Sequence, residues 1–147
     1  MKNILSLSFI SLLLSSCFGQ TPKEVLTIAP KVFAEKLKAT KNPQLLDVRT
    51  PEEFKSGHLD NAANIDWYED DFAKKAAKYD KSKPIFVYCK AGIRGKKAGT
   101  KLAELGFTNI YNLEGGIDKW NDSNQGRTGQ SQNKTKKSLK IFKLFLF

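Results

Sequence analysis

The chain has 147 residues, 27% of them charged and 40% hydrophobic, which suits one domain with a real hydrophobic core and excludes two. Its formal net charge of +10 is concentrated towards the C-terminus, because residues 124–147 carry six basic residues and no acid. Residues 18–122 carry 18 basic against 15 acidic residues. A nucleic-acid surface would need a basic face with a recognisable reading element, so we expect no nucleic-acid partner.

The first seventeen residues are typical of an export signal. Lys2 gives a short basic start, and the apolar stretch from Ile4 to Leu14 is too short for a transmembrane span of about 20 residues. The stretch leads to Ser15-Ser16-Cys17, which resembles the bacterial lipobox, where the cysteine is lipidated. The alternative is an ordinary secretory signal. We expect a lipid anchor on Cys17 and a periplasmic or outer-membrane lipoprotein of the cell envelope.

Strand and helix patterns alternate from Val25 to Trp120. Short apolar runs predict strands, while capping and periodic apolar residues predict helices. This alternation predicts an α/β fold with a parallel sheet and right-handed crossovers. The predicted strands are 25–28, 44–48, 63–65, 84–88 and 109–113, and the predicted helices begin near Pro30, Pro51, Asp70, Arg94 and Gly116.

Cys89 lies where the fourth predicted strand leads into a helix. In an open α/β sheet ligands bind at such a position, and backbone N–H groups there favour an anion such as a thiolate. Lys90, Arg94, Lys96 and Lys97 add positive charge. The pattern therefore indicates a nucleophilic sulfur and an anionic substrate. Two other interpretations are a buried structural cysteine and a phosphate-binding loop, although the Gly-Lys-Thr/Ser phosphate signature is missing.

Three segments resemble, in the right order, signatures of the rhodanese family of sulfurtransferases: Leu46 to Ile65, Cys89 to Arg94 and Leu105 to Trp120. The resemblance implies a rhodanese-like three-layer α/β sandwich, with a mostly parallel five-stranded sheet and helices on both faces. We expect this domain at residues 18–122, after a signal peptide at 1–17. Residues 123–147 form a basic tail, predicted to be disordered, whose apolar end has no assigned function.

The resemblance also implies a two-step sulfur transfer. Cys89 takes a sulfur from a small anionic donor such as thiosulfate, and a thiol or cyanide then removes it. The same resemblance gives the substrate-binding residues as Lys90, Ala91, Gly92, Ile93 and Arg94, with Arg94 suited to bidentate contact with a sulfonate-like group. We expect a monomer without a cofactor. No clustering of His, Cys and carboxylates in the sequence suggests a metal site.

Three further residues are weighed as site candidates. Asp47 and Arg49 lie at the end of the second predicted strand, where Arg49 could pair with Glu52 or Glu53. His58, the one histidine of the chain, is predicted to pack or hydrogen-bond rather than to act as a base.

Two other functions stay open. A phosphatase or arsenate reductase of the same fold usually has a loop one residue longer than the six residues from Cys89 to Arg94. The second is a non-catalytic binding module, since rhodanese-like domains also occur without the cysteine, and the presence of Cys89 argues against it.

Overall fold

The computed structural model describes residues 24–123. The predicted signal peptide, Cys17 and residues 124–147 of the predicted tail lie outside the described residues. Strands and helices alternate along the described part of the chain: β1 (Val25–Ile28), α1 (Pro30–Ala39), β2 (Gln44–Asp47), α2 (Pro51–Lys55), β3 (Ala63–Asn64), α3 (Phe72–Ala76), β4 (Ile85–Tyr88), α4 (Ile93–Glu104), β5 (Ile110–Leu113) and α5 (Gly116–Asp122).

The strands form one five-stranded sheet in the order β1-β5-β4-β2-β3, and every neighbouring pair is parallel. The prediction of a rhodanese-like α/β fold with a five-stranded sheet is therefore confirmed, and the sheet is wholly parallel. β4 lies at the centre between β2 and β5. Because parallel strands end at the same edge, the carboxyl end of β4 places Cys89 at the middle of that edge.

The two faces of the sheet hold separate apolar clusters, as the alternation of side chains along a strand requires. On one face Val87 of β4 packs with Leu102 of α4 and Phe72 of α3. On the other face Phe86 packs with Phe33 of α1. Helices cover both faces, which completes the three layers. No helix within residues 24–123 is both long enough and apolar enough to cross a membrane.

The helix predicted from Asp70 to Tyr79 is shorter in the structure, where α3 spans Phe72–Ala76. The Phe72 N–H donates to the carbonyl of Glu69, and the Tyr79 N–H donates to that of Ala76. Both are bonds across three residues, so tight turns flank α3 where the sequence predicted continuous α-helix.

Candidate active site

The candidate nucleophile lies in a turn between β4 and α4. The Cys89 side chain is buried, and its Sγ accepts a hydrogen bond from the Gly92 N–H at 3.1 Å. Gly92 has a φ of +90°, a conformation that residues with a Cβ rarely adopt, and it is the residue that precedes α4. The turn thus directs a backbone N–H at the sulfur beside the positive end of a twelve-residue helix, where an anion is stabilised.

The start of α5 packs against the same turn. The Ile117 N–H donates to the carbonyl of Cys89 at 2.9 Å, and the Asp118 N–H donates to that of Lys90 at 3.1 Å. Gly116 permits this approach, because a Cβ at that position would overlap both carbonyl oxygens. The two carbonyls of the turn are therefore hydrogen-bonded by the start of α5.

The predicted substrate-binding residues all lie in this turn but differ in exposure. Lys90, Ala91 and Ile93 are exposed, Gly92 is buried and Arg94 is half-buried. Lys90 makes no ion pair with any other residue in the range 24–123. Lys90 and Arg94 are the two side chains predicted to attract an anionic donor, and of these only Arg94 forms an ion pair within the described residues.

Arg94 is instead held by a residue that the sequence did not single out for it. Its guanidinium donates to both carboxylate oxygens of Glu53, at 2.7 and 2.8 Å, and lies 5.6 Å from the centre of the Tyr68 ring. The hydrogen bonds from Arg94 lower the pKa of Glu53 to about 2. The same bonds raise the pKa of Arg94, and the charge of a Cys89 thiolate adds to that effect. The Arg94–Glu53 ion pair therefore connects α2 to the first turn of α4.

Replacing Glu53 with glutamine should destabilise the fold by about 1–2 kcal/mol at neutral pH, since Arg94 loses its bidentate partner. The Glu53 carboxylate has a lowered pKa when folded, so its stabilisation is present above the ordinary pKa of 4.5 and is lost as the pH falls towards 2. The stability gap between the parent and Glu53→Gln should therefore close over that range. Urea unfolding at a series of pH values measures the gap. The control is Glu35→Gln, an exposed acid on α1 without an ion pair within residues 24–123. A gap for Glu53→Gln that is constant with pH would contradict the ion-pair account.

The expected pairing of Arg49 with Glu52 or Glu53 is wrong. The Arg49 guanidinium donates to the Asp47 carboxylate at 2.6 Å and to the carbonyl of Gly57 at 2.7 Å, and both side chains of this pair are buried. The reason is local. Residues two apart along extended backbone share one side of the chain, so the nearest acid is Asp47. The pair holds the segment that includes Gly57 against the end of β2.

His58 has a packing role, in agreement with the prediction. Its ring stacks on Phe54 with 3.8 Å between the ring centres, and its Nδ1 lies 3.0 Å from the Phe54 carbonyl oxygen. A carbonyl can only accept, so Nδ1 carries the proton. Within residues 24–123 the His58 ring makes no hydrogen bond to Cys89.

Asn112 is a second residue that sequence reasoning missed. It is a buried polar residue on β5, and its Nδ2 donates to the Gly92 carbonyl at 3.3 Å and to Thr27 Oγ1 at 3.2 Å. Its Oδ1 is buried without a hydrogen-bond partner among the described residues, and a Cβ on Gly95 would overlap that atom. A buried unpaired acceptor is costly, which points to a role in fixing Gly92. An asparagine inside an otherwise apolar strand is the signal that could have identified it.

Replacing Asn112 with leucine should leave stability within about 1 kcal/mol of the parent, because the unpaired Oδ1 disappears and the Gly92 carbonyl keeps its bond from the Lys96 N–H. The rate of Cys89 alkylation by iodoacetamide should fall roughly threefold or more, since the Gly92 peptide loses a restraint. Alkylation rates and melting temperatures are measured together. Asn109→Leu, an exposed position beside β5, is the control. A large loss of stability with an unchanged alkylation rate would make Asn112 purely structural.

A polar groove of about 560 Å³ adjoins the turn at Lys90. Side chains from the segment 49–58 form one part of its lining, and Ile117, Asp118 and Asn121 of α5 form another. No group of three or more His, Cys, Asp and Glu residues within the described part of the chain is arranged to hold a metal ion. The site is therefore a buried sulfur beside a polar groove, an arrangement suited to a small polar reactant.

Known proteins are similar to this chain in sequence and in fold. The chain is 33% identical over 84 residues to the thiosulfate sulfurtransferase GlpE of Shewanella oneidensis, covering 57% of this chain and 81% of GlpE. It is 42% identical over 77 residues to YqhL of Bacillus subtilis, covering 52% of this chain and 60% of YqhL. It is 36% identical over 107 residues to a tRNA uridine(34) hydroxylase of Chlamydia trachomatis, covering 69% of this chain and 32% of the hydroxylase.

Solved structures give the same result. A rhodanese-like domain protein from Staphylococcus aureus superposes with a TM-score of 0.58 at 29% identity, covering 65% of this chain and 91% of that one. The family model for the rhodanese-like domain matches residues 30–123. This range includes the turn from Cys89 to Arg94 and the ion pairs Arg49–Asp47 and Arg94–Glu53. These relatives are named as sulfurtransferases and as a hydroxylase, so they have the domain in common and not one activity. By its sequence and its fold, the chain belongs to the rhodanese-like domain family.

Proposed function

We propose that the protein is a sulfurtransferase that carries a sulfane sulfur from a small anionic donor such as thiosulfate to a thiol or cyanide acceptor. The observation that carries the proposal is the hydrogen bond that the Gly92 N–H donates to Cys89 Sγ just before the start of α4. A backbone N–H directed at the sulfur favours negative charge on that atom, and the thiolate is the nucleophilic form of cysteine. The GlpE relative, which is named a thiosulfate sulfurtransferase, supports this assignment.

The reaction has two nucleophilic displacements. The Cys89 thiolate attacks the outer sulfur of thiosulfate, the sulfur–sulfur bond of the donor breaks, and sulfite leaves with the electron pair. Cys89 then carries a persulfide. The acceptor attacks the outer sulfur of that persulfide, and the Cys89 thiolate leaves in turn. Covalent transfer of this kind gives ping-pong kinetics.

The turn supports sulfur transfer better than phosphoryl transfer. It spans six residues from Cys89 to Arg94, whereas the resemblance implies a loop one residue longer in phosphatases and arsenate reductases of the same fold. In addition, both terminal nitrogens of Arg94 are occupied by Glu53. A phosphatase would need that guanidinium to bind its substrate, whereas a persulfide needs only the backbone N–H groups of the turn.

From the sequence of the N-terminus we also propose that this reaction takes place in the cell envelope, with the protein anchored through a lipid on Cys17. Two acyl chains on one residue would give stable anchoring without a spanning helix. Membrane fractionation of the parent and of Cys17→Ser tests this proposal. Recovery of both proteins in the same soluble fraction would overturn it.

The chemistry is tested on the full chain carrying Cys17→Ser, which leaves Cys89 as its one cysteine. The reduced protein is incubated with thiosulfate and its intact mass is recorded before and after cyanide is added. We expect a gain of one sulfur atom that cyanide removes as thiocyanate, and no gain when Cys89 is alkylated first. If folded, reduced protein takes up no sulfur from thiosulfate, the proposal with this donor fails, and phosphate- and arsenate-type substrates are tested next.

A further inference from the structure

The Glu53–Arg94 ion pair differs from most ion pairs of the protein in geometry and in burial. The two terminal nitrogens of the guanidinium donate to the two carboxylate oxygens, at 2.7 and 2.8 Å, and both side chains are half-buried. In every other ion pair within residues 24–123 except Arg49–Asp47, both side chains are at least 40% exposed. A bidentate pair that is sheltered from solvent is stronger than an exposed pair. The Arg94 guanidinium is therefore held firmly on Glu53.

Glu53 is itself fixed by its own helix. It completes the capping box of α2, in which the Thr50 N–H donates to Glu53 Oε2 at 3.2 Å and the Glu53 N–H donates to Thr50 Oγ1 at 3.3 Å. The same Oε2 accepts a hydrogen bond from Arg94. A carboxylate that is already positioned loses little further side-chain entropy when it binds a cation. An anion that competes for Arg94 must therefore displace an anchored carboxylate.

Arg94 lies close to the nucleophile. It follows Gly92 by two residues, and the Gly92 N–H donates to Cys89 Sγ. The charge of a Cys89 thiolate also contributes to the raised pKa of Arg94, so the guanidinium is near enough to the sulfur to interact with its charge. A guanidinium presents paired N–H groups that match two oxygens of a sulfate or a phosphate. In this protein Glu53 already accepts from both terminal nitrogens.

We propose that Glu53 is a specificity-determining residue, which keeps sulfate, phosphate and other tetrahedral oxyanions out of the Cys89 turn by occupying the guanidinium of Arg94. The inference rests on the proposed sulfurtransferase function and names the residue that sets which anions the same site admits. A sulfane-sulfur donor reacts through the sulfur that Cys89 attacks, so its transfer does not require Arg94. Sulfate and phosphate have no such sulfur, and Glu53 deprives them of a bidentate partner. The ion pair thus acts against competing anions and leaves the sulfur donor able to react.

The test measures how well oxyanions protect Cys89 from alkylation, a reaction that requires no sulfur transfer. The full chain carrying Cys17→Ser is treated with iodoacetamide at neutral pH in sodium sulfate or sodium phosphate, with sodium chloride added to keep the ionic strength constant. We expect little protection in the parent. In Glu53→Gln, the oxyanion concentration that halves the alkylation rate should fall roughly tenfold or more, because Arg94 becomes available to the anion. Glutamine can keep the capping box, so α2 should stay formed.

Three further variants separate the guanidinium from a general change in charge. Glu52→Gln removes the same charge from the same helix, and Glu52 is exposed and makes no ion pair within residues 24–123, so protection should match the parent. In Glu53→Gln/Arg94→Gln the gain in protection should disappear. Glu53→Asp keeps the charge but withdraws the carboxylate from Arg94 by one methylene group. It should show a smaller gain in the same direction, and it provides the test if Glu53→Gln does not fold.

Thiosulfate loading of Cys89 is measured on the same parent protein, so that this inference is tested apart from the function on which it rests. If thiosulfate loads Cys89 but folded Glu53→Gln gains no more protection than Glu52→Gln, the role of Glu53 is overturned and the sulfurtransferase function stands. A gain that persists in the double variant without Arg94 would have the same meaning. Failure of thiosulfate to load the parent would overturn the function and, with it, the selectivity assigned to Glu53.

Discussion

Replacing Cys89 with serine will reduce thiosulfate:cyanide sulfur transfer by roughly 10⁴-fold or more, to the limit of detection, because a serine hydroxyl cannot form a persulfide. Serine is nearly isosteric, and its Oγ can still accept the hydrogen bond from the Gly92 N–H. The cost to stability should therefore be small, about 1 kcal/mol for a slightly more polar atom at a buried position. Cys89→Ser should therefore abolish activity while leaving the free energy of unfolding nearly unchanged.

The measurement is steady-state thiocyanate formation by the parent and Cys89→Ser, both carrying Cys17→Ser. Thermal unfolding is recorded on the same samples, and the melting temperature of the variant should lie within roughly 8 °C of the parent. A folded variant that still forms thiocyanate would show that Cys89 is not the sulfur carrier.

The fold follows from local patterns that the sequence displays directly. The run Ile85-Phe86-Val87-Tyr88 is apolar at each position because a central parallel strand is covered on both faces. The Thr50 capping box is present as the Thr-x-x-Glu pattern predicts, with the Glu53 N–H donating to Thr50 Oγ1. Such features depend on residues a few positions apart, so a single sequence is enough to predict them.

The contacts within the site join residues that are far apart in the chain, so they are harder to predict from the sequence. Glu53 and Arg94 are 41 residues apart, and nothing in their local sequence links them until the sheet brings α2 to the start of α4. A basic residue in a turn is visible in the sequence, so Arg94 was predicted to bind the donor. The Glu53 carboxylate that binds Arg94 becomes apparent only in the folded structure. The contact between Gly116 and the turn likewise depends on how α5 packs, and a Gly-Gly pair alone does not indicate which glycine is required.

Gly116 is the position where the fold constrains the site most tightly, and Gly116→Ala should be the most damaging single change outside the nucleophile itself. Its φ is +61°, which costs a residue with a Cβ about 1 kcal/mol or more. The added Cβ would also overlap the carbonyl oxygens of Cys89 and Lys90, and backbone atoms cannot move aside as a flexible side chain can. Strain and overlap together should cost about 3 kcal/mol.

A loss of that size should lower the melting temperature by more than about 10 °C in a domain of this length. Relieving the overlap requires the turn to move away from α5, and the Gly92 N–H would then no longer point at Cys89 Sγ. A displacement of 1 Å in a reacting group can cost on the order of 10²-fold in rate. Sulfur transfer measured well below the melting temperature, where Gly116→Ala is still folded, should therefore fall by a comparable factor.

Gly106→Ala separates the two causes of this effect. Gly106 follows α4 with a φ of +104°, so alanine there meets similar backbone strain, but the nearest atom to its Cβ is Lys81 Cδ at 3.5 Å. That variant should lose roughly 1 kcal/mol and keep its activity, because Lys81 is flexible and Gly106 lies at the other end of α4 from Cys89. If both variants lose the same stability and both stay active, the overlap at Gly116 is relieved elsewhere. In that case the start of α5 does not hold the Cys89 turn in place.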